Sequence, residues 1–347
     1  MNHRDRGQPT RPVATLPAPP RYFPVAADGY RMRPGLRPLG TDVGAGALDG
    51  TLFQFHSGFP RYRENKLRCR REDYTRYVGA SRLPGPVAAH VARFLAARLA
   101  TEWPELFVQE PLGDGGVRLT CTLTSEVLRF GSAMEWVGLE AGVSPDPPYR
   151  DAWDALACQI PEDLAVVCRA PDATDWLAAV HVCAPSDWAP EEKLGLEFAA
   201  VHRPVPGIAP LLRASGVLVD GMIRRPPTVR LVWGLAPDDR LNRHPHAPGV
   251  QRQIPRFAAQ DTDSPPAYLR VERQGIWGFP AVDAALFTIG VTVTDLRRIR
   301  EVPEQCTRLA AAIRSMDAAT RAYKGVGDGD ELLAWLAQNR EAHGNGA

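Results

Sequence analysis

The chain has 347 residues, of which 44% are hydrophobic and 23% are charged, and its formal net charge is +1. This composition is typical of a globular protein with a large core. The near-neutral charge gives no electrostatic support for nucleic acid or an acidic membrane surface as the main partner. No apolar run approaches the about 20 residues that are needed to cross a bilayer.

Cysteine usage and the N-terminus indicate the compartment. Six cysteines occupy positions 69, 121, 158, 168, 183 and 306, and none of them forms a Cys-x-x-Cys pair. This pattern argues against structural zinc, an iron–sulfur cluster and covalently attached haem, and it favours small core residues in a reduced compartment. Residues 1–24 contain no apolar signal core, so we expect a cytoplasmic protein.

Secondary-structure signals begin after an N-terminal extension. Residues 1–50 are rich in Pro, Gly and Arg, and we expect them to form a tail or an extended wrap. Amphipathic periodicity and flanking prolines predict helices at Pro84–Trp103, Asp151–Cys158, Pro190–Ala200, the first part of Ile208–Met222, Cys306–Met316 and Glu331–Gln338. Alternation and turn signals predict strands within Val117–Phe130 and at Leu164–Arg169, Trp176–Cys183, Val229–Leu235, Ala267–Gln274 and Ala284–Val293. Regular βαβ alternation is missing, which favours an α+β fold with an antiparallel sheet of about five strands and packed N- and C-terminal helices.

One histidine has well-defined surroundings. His202 lies between an apolar stretch and the segment Pro204-Val205-Pro206. Because prolines restrict the backbone, this histidine can hold a ring nitrogen at a fixed point, as a haem ligand must. From the residues alone, a structural role at a helix end or a loop edge is the simpler interpretation.

A second polar pattern lies on the predicted strand Ala267–Gln274. Alternation places Arg270, Glu272 and Gln274 on one face, and Arg273 on the other. If the first face lines a cavity, the carboxylate can take a proton or bind an amine, and an arginine can hold a carboxylate or a propionate. If the face is exposed, the same residues are ordinary solvated and paired side chains.

Seven segments in order resemble the haem-dependent oxidative N-demethylase family, also described as dimethylamine monooxygenase-like. Each segment is short, and together they extend from about residue 50 to about residue 336. The segments are Gln159-Ile160-Pro161-Glu162-Asp163-Leu164, Pro185-Ser186-Asp187-Trp188 with Glu192-Lys193-Leu194-Gly195, Val201-His202-Arg203-Pro204-Val205-Pro206, Arg230-Leu231-Val232-Trp233, Arg270-Val271-Glu272-Arg273-Gln274, Leu286-Phe287-Thr288-Ile289, and Ser315-Met316 with Tyr323-Lys324-Gly325.

The resemblance implies a fold, a cofactor and an activity. It implies that residues 51–347 form a single PAS-like domain around non-covalent haem b, with a helical C-terminal part. It also implies oxidation of a small amine with O2, by N-demethylation or N-oxidation, using electrons from separate reductase components that carry flavin and iron–sulfur. His202 is then the expected iron ligand, with His181 as the alternative. Arg270 and Arg273 are expected to bind the cofactor, and Glu272 and Arg230 are expected to be catalytic.

The chain departs from the family pattern after Gln274. Gly275 stands where the family has Thr, and Gly278-Phe279-Pro280 replaces Arg-Leu-Pro. We therefore expect Gly275, Trp277 and Phe279 to line the substrate pocket, and we expect a substrate other than plain dimethylamine.

Other interpretations stay open at this point. The protein can be a haem-binding PAS-type sensor without turnover, or a haem-free subunit that supports a true oxygenase by protein contact. His244 and His246 are spaced as a paired metal site, although proline-rich loops of this kind are usually solvated. His56 has no assigned role.

Overall fold

The computed structural model describes residues 15–251, 267–327 and 329–337. In these ranges the strands are β1 (Arg37–Pro38), β2 (Val78–Ala80), β3 (Phe107–Pro111), β4 (Val117–Cys121), β5 (Glu126–Phe130), β6 (Trp136–Ala141), β7 (Asp163–Arg169), β8 (Asp175–His181), β9 (Thr228–Ala236), β10 (Tyr268–Phe279) and β11 (Ala284–Asp295). The helices are α1 (Phe59–Tyr77), α2 (Gly85–Glu102), α3 (Ala152–Ala157), α4 (Phe198–His202), α5 (Ala209–Arg213), α6 (Ser215–Arg224), α7 (Leu296–Arg300), α8 (Pro303–Ser315), α9 (Ala318–Tyr323) and α10 (Asp330–Ala337).

The strands form two antiparallel sheets. The large sheet has the order β1-β9-β10-β11-β7-β8-β2, and the small one is the meander β3-β4-β5-β6. A mixed helix and sheet fold with an antiparallel sheet is therefore confirmed. The large sheet has seven strands, more than the five or so that were predicted, because its edge strands β1 and β2 contain two and three residues and show no periodicity.

Helices cover both faces of the large sheet. One face packs with α2, α3 and the small sheet in the main core, where Val91, Leu95 and Leu99 of α2 are buried. The opposite face of β7 and β8 packs with Phe198 of α4 and Val219 of α6. Helices α7, α8 and α10 pack against the buried residues of β9 and β10. The face under α4–α6 is the one that carries the candidate site.

The N-terminal segment is part of this packing. Tyr22 and Val25 are buried in the C-terminal cluster with α8 and α10. Farther along, Leu39 N donates to Pro227 O, and β1 pairs with β9. The described part of the extension therefore runs over the edge of the large sheet as an extended wrap.

The structure corrects one predicted helix and adds elements that were missed. Residues 191–195 form turns, and helix α4 begins only at Phe198. The reason is that this segment pairs with β8: Gly195 N donates to Leu177 O, and Leu177 N donates to Leu196 O. The missed elements are the strands β1, β2, β3 and β6 and the helices α1, α7 and α9. The last residue of the predicted helix Glu331–Gln338 lies outside the described residues.

Two sequence-level expectations concern the core and the membrane. All six cysteines are buried and free, as expected for small core residues. Within the described residues, none of the helices combines the length and the apolarity that a bilayer span requires.

Candidate functional site

A cavity of about 1330 Å³ lies on the face of the large sheet that α4–α6 cover. Its floor consists of side chains from β7–β11 and its wall of α4–α6, and its border includes residues 29–35, 186–188 and 322–325. It is larger than the roughly 300–1,000 Å³ of ordinary ligand pockets. The cavity therefore has room for a large cofactor together with a small substrate.

His202 lines this cavity from the end of α4. Its Nδ1 lies 2.8 Å from the carbonyl oxygen of Phe198, one helical turn earlier, and the two rings are 4.1 Å apart between centroids. The Pro-x-Pro turn closes beside it, since Val205 N donates to His202 O. A carbonyl only accepts, so Nδ1 carries the proton, and Nε2 keeps a free lone pair. Burial lowers the pKa of His202, which favours this neutral form.

Glu272 lies on the cavity floor at the centre of a hydrogen-bonded chain. Ser186 Oγ donates to one of its oxygens, and Gln274 Nε2 donates to the other at 2.7 Å. The Gln274 amide oxygen in turn accepts from Arg230 Nε at 2.8 Å. As the alternation predicts, Arg270, Glu272 and Gln274 all line the cavity. The carboxylate is therefore fixed in position while its charge faces the cavity residues.

Arg230 reaches the same chain from the neighbouring strand. It pairs with Gln274 in the β9–β10 register, and Nη1 lies 3.3 Å from Pro34 O in the N-terminal segment. Burial lowers the pKa of Arg230, while the Glu272 carboxylate acts in the opposite direction. Val232 of β9 lies directly across from Glu272.

Arg270 and Arg273 donate mainly to backbone carbonyls. Arg270 Nη2 donates to Ala184 O at 2.6 Å and to Leu241 O at 2.9 Å, and its Nε donates to Ser186 Oγ at 2.8 Å. It thereby orients the serine that holds Glu272. Arg273 points to the other face of the sheet, where it donates to carbonyls of residues 51 and 52, and it does not line the cavity. Their predicted role in cofactor binding stays a prediction.

The three residues predicted for the substrate pocket lie on the other side of the sheet or away from the cavity. A Cβ at Gly275 would lie 2.5 Å from Thr288 Oγ1, so packing within the sheet explains this glycine. Trp277 and Phe279 pack on Phe94 of α2, at 4.9 and 5.0 Å between ring centroids. The substrate role of these residues stays a prediction, while the apolar lining of the cavity comes from Phe198, Val201, Leu218, Phe287 and Ile289.

His181 lies in a buried cluster away from the cavity. Its Nε2 is 3.3 Å from Asp154 Oδ1 and 3.8 Å from Cys158 Sγ. Among the described residues these three side chains are the group whose ligand atoms could hold a metal ion. Asp154 also accepts two bonds of 2.9 Å from Arg70, so its carboxylate is already engaged in a buried ion-pair network.

Two further histidines that the structure describes, His244 and His56, have hydrogen-bond partners within the protein. His244 Nε2 lies 3.0 Å from both carboxylate oxygens of Glu191, and its Nδ1 accepts from the backbone N of His246. His56 Nδ1 accepts from Gly58 N at 3.1 Å, and burial lowers the pKa of His56 to about 4. His244 and His246 thus meet through a local turn, and the His244 ring contacts the Glu191 carboxylate.

Sequence reasoning assigned no role to Ser186 or Lys324. Both stand in segments that carried the family resemblance, Pro185-Ser186-Asp187-Trp188 and Tyr323-Lys324-Gly325, so the only signal was their place in those motifs. Ser186 contacts Glu272 directly, and Lys324 lines the same cavity.

The cavity residues fit a haem. A neutral imidazole whose second nitrogen is anchored by a carbonyl is the usual axial arrangement of a histidine ligand. The apolar lining suits the porphyrin plane, and arginines 31, 33 and 37 at the border suit its propionates. The hydrogen bonds around Glu272 involve protein atoms alone, so they form without a haem.

The sequence also matches a known family. Residues 48–333 match the family described as haem-dependent oxidative N-demethylase, alpha subunit-like. The matched range contains His202, Glu272, Arg230 and every strand and helix that forms the floor and wall of the cavity.

Proposed function

The chain belongs to the haem-dependent oxidative N-demethylase alpha subunit-like family, and we propose that it is a haem-dependent monooxygenase that oxidises a small amine. The observation that carries this proposal is the joint presence, in one cavity, of the anchored neutral imidazole of His202 and the fixed carboxylate of Glu272. The first is suited to an iron, and the second to a cationic nitrogen.

His202 Nε2 would hold the iron of haem b, which would be bound without a covalent link. The bound haem supplies activation of O2 once two electrons have been delivered. The hydrogen bond from Nδ1 to Phe198 O keeps Nε2 unprotonated and fixes the ring orientation. The arrangement of an antiparallel sheet with helices over the pocket supports a PAS-like haem domain.

Glu272 is proposed to bind the amine nitrogen and to exchange its proton. Hydrogen bonds from Ser186 and Gln274 hold both carboxylate oxygens, so the substrate nitrogen meets a preorganised charge. Arg230, held through Gln274, is proposed to orient O2 or a substrate carboxylate. The apolar wall from α4–α6 and β11 receives the methyl groups.

The overall reaction balances as an oxidative N-demethylation. An N-methylamine, O2, two electrons and two protons give the demethylated amine, formaldehyde and water. The new C–O bond forms on the methyl carbon, and the resulting carbinolamine loses the C–N bond when the nitrogen takes a proton. Oxidation on the nitrogen itself would use the same electrons and protons and leave no formaldehyde.

The electrons are proposed to come from partner components that carry flavin and iron–sulfur. The words "alpha subunit-like" in the family description support a multi-subunit enzyme. We expect the protein to act in the cytoplasm, where reduced nicotinamide can supply such a reductase.

An amine panel tests this function. The purified protein, loaded with haem and supplied with a chemical electron donor, is assayed for oxygen consumption and for formaldehyde with each N-methylamine. We expect formaldehyde in a one-to-one ratio with the demethylated amine. If oxygen is consumed and the product is an N-oxide without formaldehyde, the reaction is N-oxidation instead. A shift of the haem spectrum without turnover would indicate a sensor, and a protein that takes up no haem would indicate a supporting subunit.

A further inference from the structure

A lysine side chain is buried in an aromatic cage at the border of the cavity. Lys324 is 6% exposed, and its Nζ donates to Trp233 O at 2.5 Å. The ring centroids of Tyr30, Trp233 and Tyr323 lie 5.2, 5.7 and 5.8 Å from Nζ. Three rings at this distance stabilise an ammonium ion by cation–π attraction. The cage therefore holds the charged form of a lysine that faces the candidate amine site.

The charges around this lysine are unbalanced. The Glu272 carboxylate interacts electrostatically with Arg230 and Lys324, and it also acts on Arg270, which Asp163 and Asp187 stabilise as well. A cationic amine that binds beside Glu272 adds another positive charge to this group. Burying like charges together is unfavourable unless one of them is neutralised.

Of these three residues, only Lys324 can give up its charge. A guanidinium does not release its proton in proteins, whereas a buried ammonium does so readily. A neutral amine still has two N–H groups, so Lys324 can keep its bond to Trp233 O after it loses a proton. Desolvation lowers the pKa of Lys324 to about 8, Arg230 acts in the same direction, and Glu272 acts against both.

We propose that Lys324 is the charge-compensating residue of the amine site, which releases its proton to solvent when a cationic amine binds beside Glu272. The inference rests on the proposed function in one respect, namely that the substrate binds as a cation at Glu272. It adds a specific residue and a measurable proton release to that function.

The sign of the pH dependence follows from linkage. In the free protein Lys324 carries its proton below a pH of about 8, and a bound cation lowers its pKa further. Cation binding therefore releases close to one proton below that pH, and the affinity rises about tenfold per pH unit until it levels off near pH 8.

Other groups at the cavity do not produce this signal between pH 7 and 9. Burial lowers the pKa of His202, which is then already neutral. Burial raises the pKa values of Tyr30 and Tyr323, which then keep their protons. Arg230, and Arg308 on α8, remain cations throughout.

Calorimetry with tetramethylammonium tests the inference, because this probe is a permanent cation and has no proton of its own to lose. Titrations at pH 7.2 in two buffers of different ionisation enthalpy give the number of protons released per cation bound. We expect close to one proton for the wild type and none for Lys324→Met or Lys324→Arg. Lys324→Met should bind the cation more tightly than the wild type at pH 7.2 and with little pH dependence, whereas Lys324→Arg should bind it more weakly.

Lys193→Met is the matched control, because Lys193 also lines the cavity and is less buried. This variant should keep the proton release of the wild type. Thermal unfolding confirms that each variant is folded, and Lys324→Arg preserves the test if Lys324→Met is not.

The outcomes separate this inference from the proposed function. Cation binding without proton release in the wild type, or with equal release in Lys324→Met, would overturn the role of Lys324 and leave the amine site in place. Failure of tetramethylammonium and of every N-methylamine to bind would remove the amine site itself, and the role of Lys324 with it.

Discussion

Replacing Glu272 by Gln tests the proposed amine site while leaving its surroundings nearly intact. A glutamine at this position can accept from Gln274 Nε2 with its oxygen and donate to Ser186 Oγ with its amide. Ser186 Oγ has a second lone pair for the bond from Arg270 Nε. The hydrogen-bonded chain is then complete, so we expect the free energy of unfolding to change by no more than about 1 kcal/mol.

The effect on function should be much larger. The variant loses the carboxylate that attracts a cationic amine and exchanges its proton, and positioned acid–base groups typically contribute roughly 10²–10⁴-fold to a rate. We expect turnover with the best N-methylamine to fall by about that factor, while haem content and the visible spectrum stay unchanged.

The assay is formaldehyde release under saturating electron supply, with Ser186→Ala as the control. Ser186→Ala removes one hydrogen bond to Glu272 but keeps the charge, so its loss of turnover should be smaller than that of Glu272→Gln. A Glu272→Gln protein that keeps wild-type turnover would refute the role of the carboxylate. So would a Ser186→Ala protein that is the more impaired of the two.

Three further predictions concern the framework around the site. Burial raises the pKa of Glu162 from 4.5 to about 7. The folded protein therefore holds this proton more tightly than the unfolded chain, and the resulting stabilisation is complete below pH 4.5 and is lost as the pH rises through about 7. Glu162→Gln should therefore abolish this pH dependence and stabilise the fold above pH 7 by about 3 kcal/mol in chemical denaturation. Arg70→Met should cost about 3–5 kcal/mol, because it leaves the Asp154 carboxylate buried without its guanidinium. Gly278→Ala should cost about 1–3 kcal/mol, because its Cβ would lie 2.1 Å from Ile223 O at the end of α6.

Each of these predictions has a control in the chain. A Glu162→Gln protein with wild-type pH dependence would show that another group causes it. Adding Asp154→Asn to Arg70→Met should recover part of the lost stability, and no recovery would contradict the ion-pair explanation. Gly216 lies in the first turn of α6 and has open space around its Cβ, so Gly216→Ala should be neutral or slightly stabilising. An equal loss of stability at both glycines would contradict the steric explanation for Gly278.

Periodic apolar positions made part of the fold predictable from the sequence. Helix α2 was found because Val87, Val91, Leu95 and Leu99 repeat at helical spacing and are all buried. Helix α1 was missed because its buried positions include Lys66 and Arg70, whose charges hide the apolar face. Those charges are tolerated because each has partners elsewhere in the chain, such as the three backbone carbonyls that surround Lys66.

The candidate site was predictable where it depends on strand alternation and not where it depends on long-range packing. Alternation placed Glu272 on a face with Arg270 and Gln274. It could not bring Lys324 and Tyr30 to the same cavity, because these residues are almost 300 positions apart and meet only through the C-terminal packing. Nor could it show that Trp277 packs on α2, since that contact depends on which helix covers this end of the sheet.

The most direct test of the central claim is the visible spectrum of the His202→Ala protein after incubation with haem, beside wild type and His90→Ala. His90 is an exposed histidine on α2 outside the cavity, so its replacement should leave haem binding unchanged. We predict a one-to-one haem complex with a Soret band for wild type and His90→Ala, loss of that complex in His202→Ala, and partial recovery when imidazole is added. A His202→Ala protein with the wild-type haem content and the same oxidised and reduced spectra would contradict the assignment of His202 as the iron ligand.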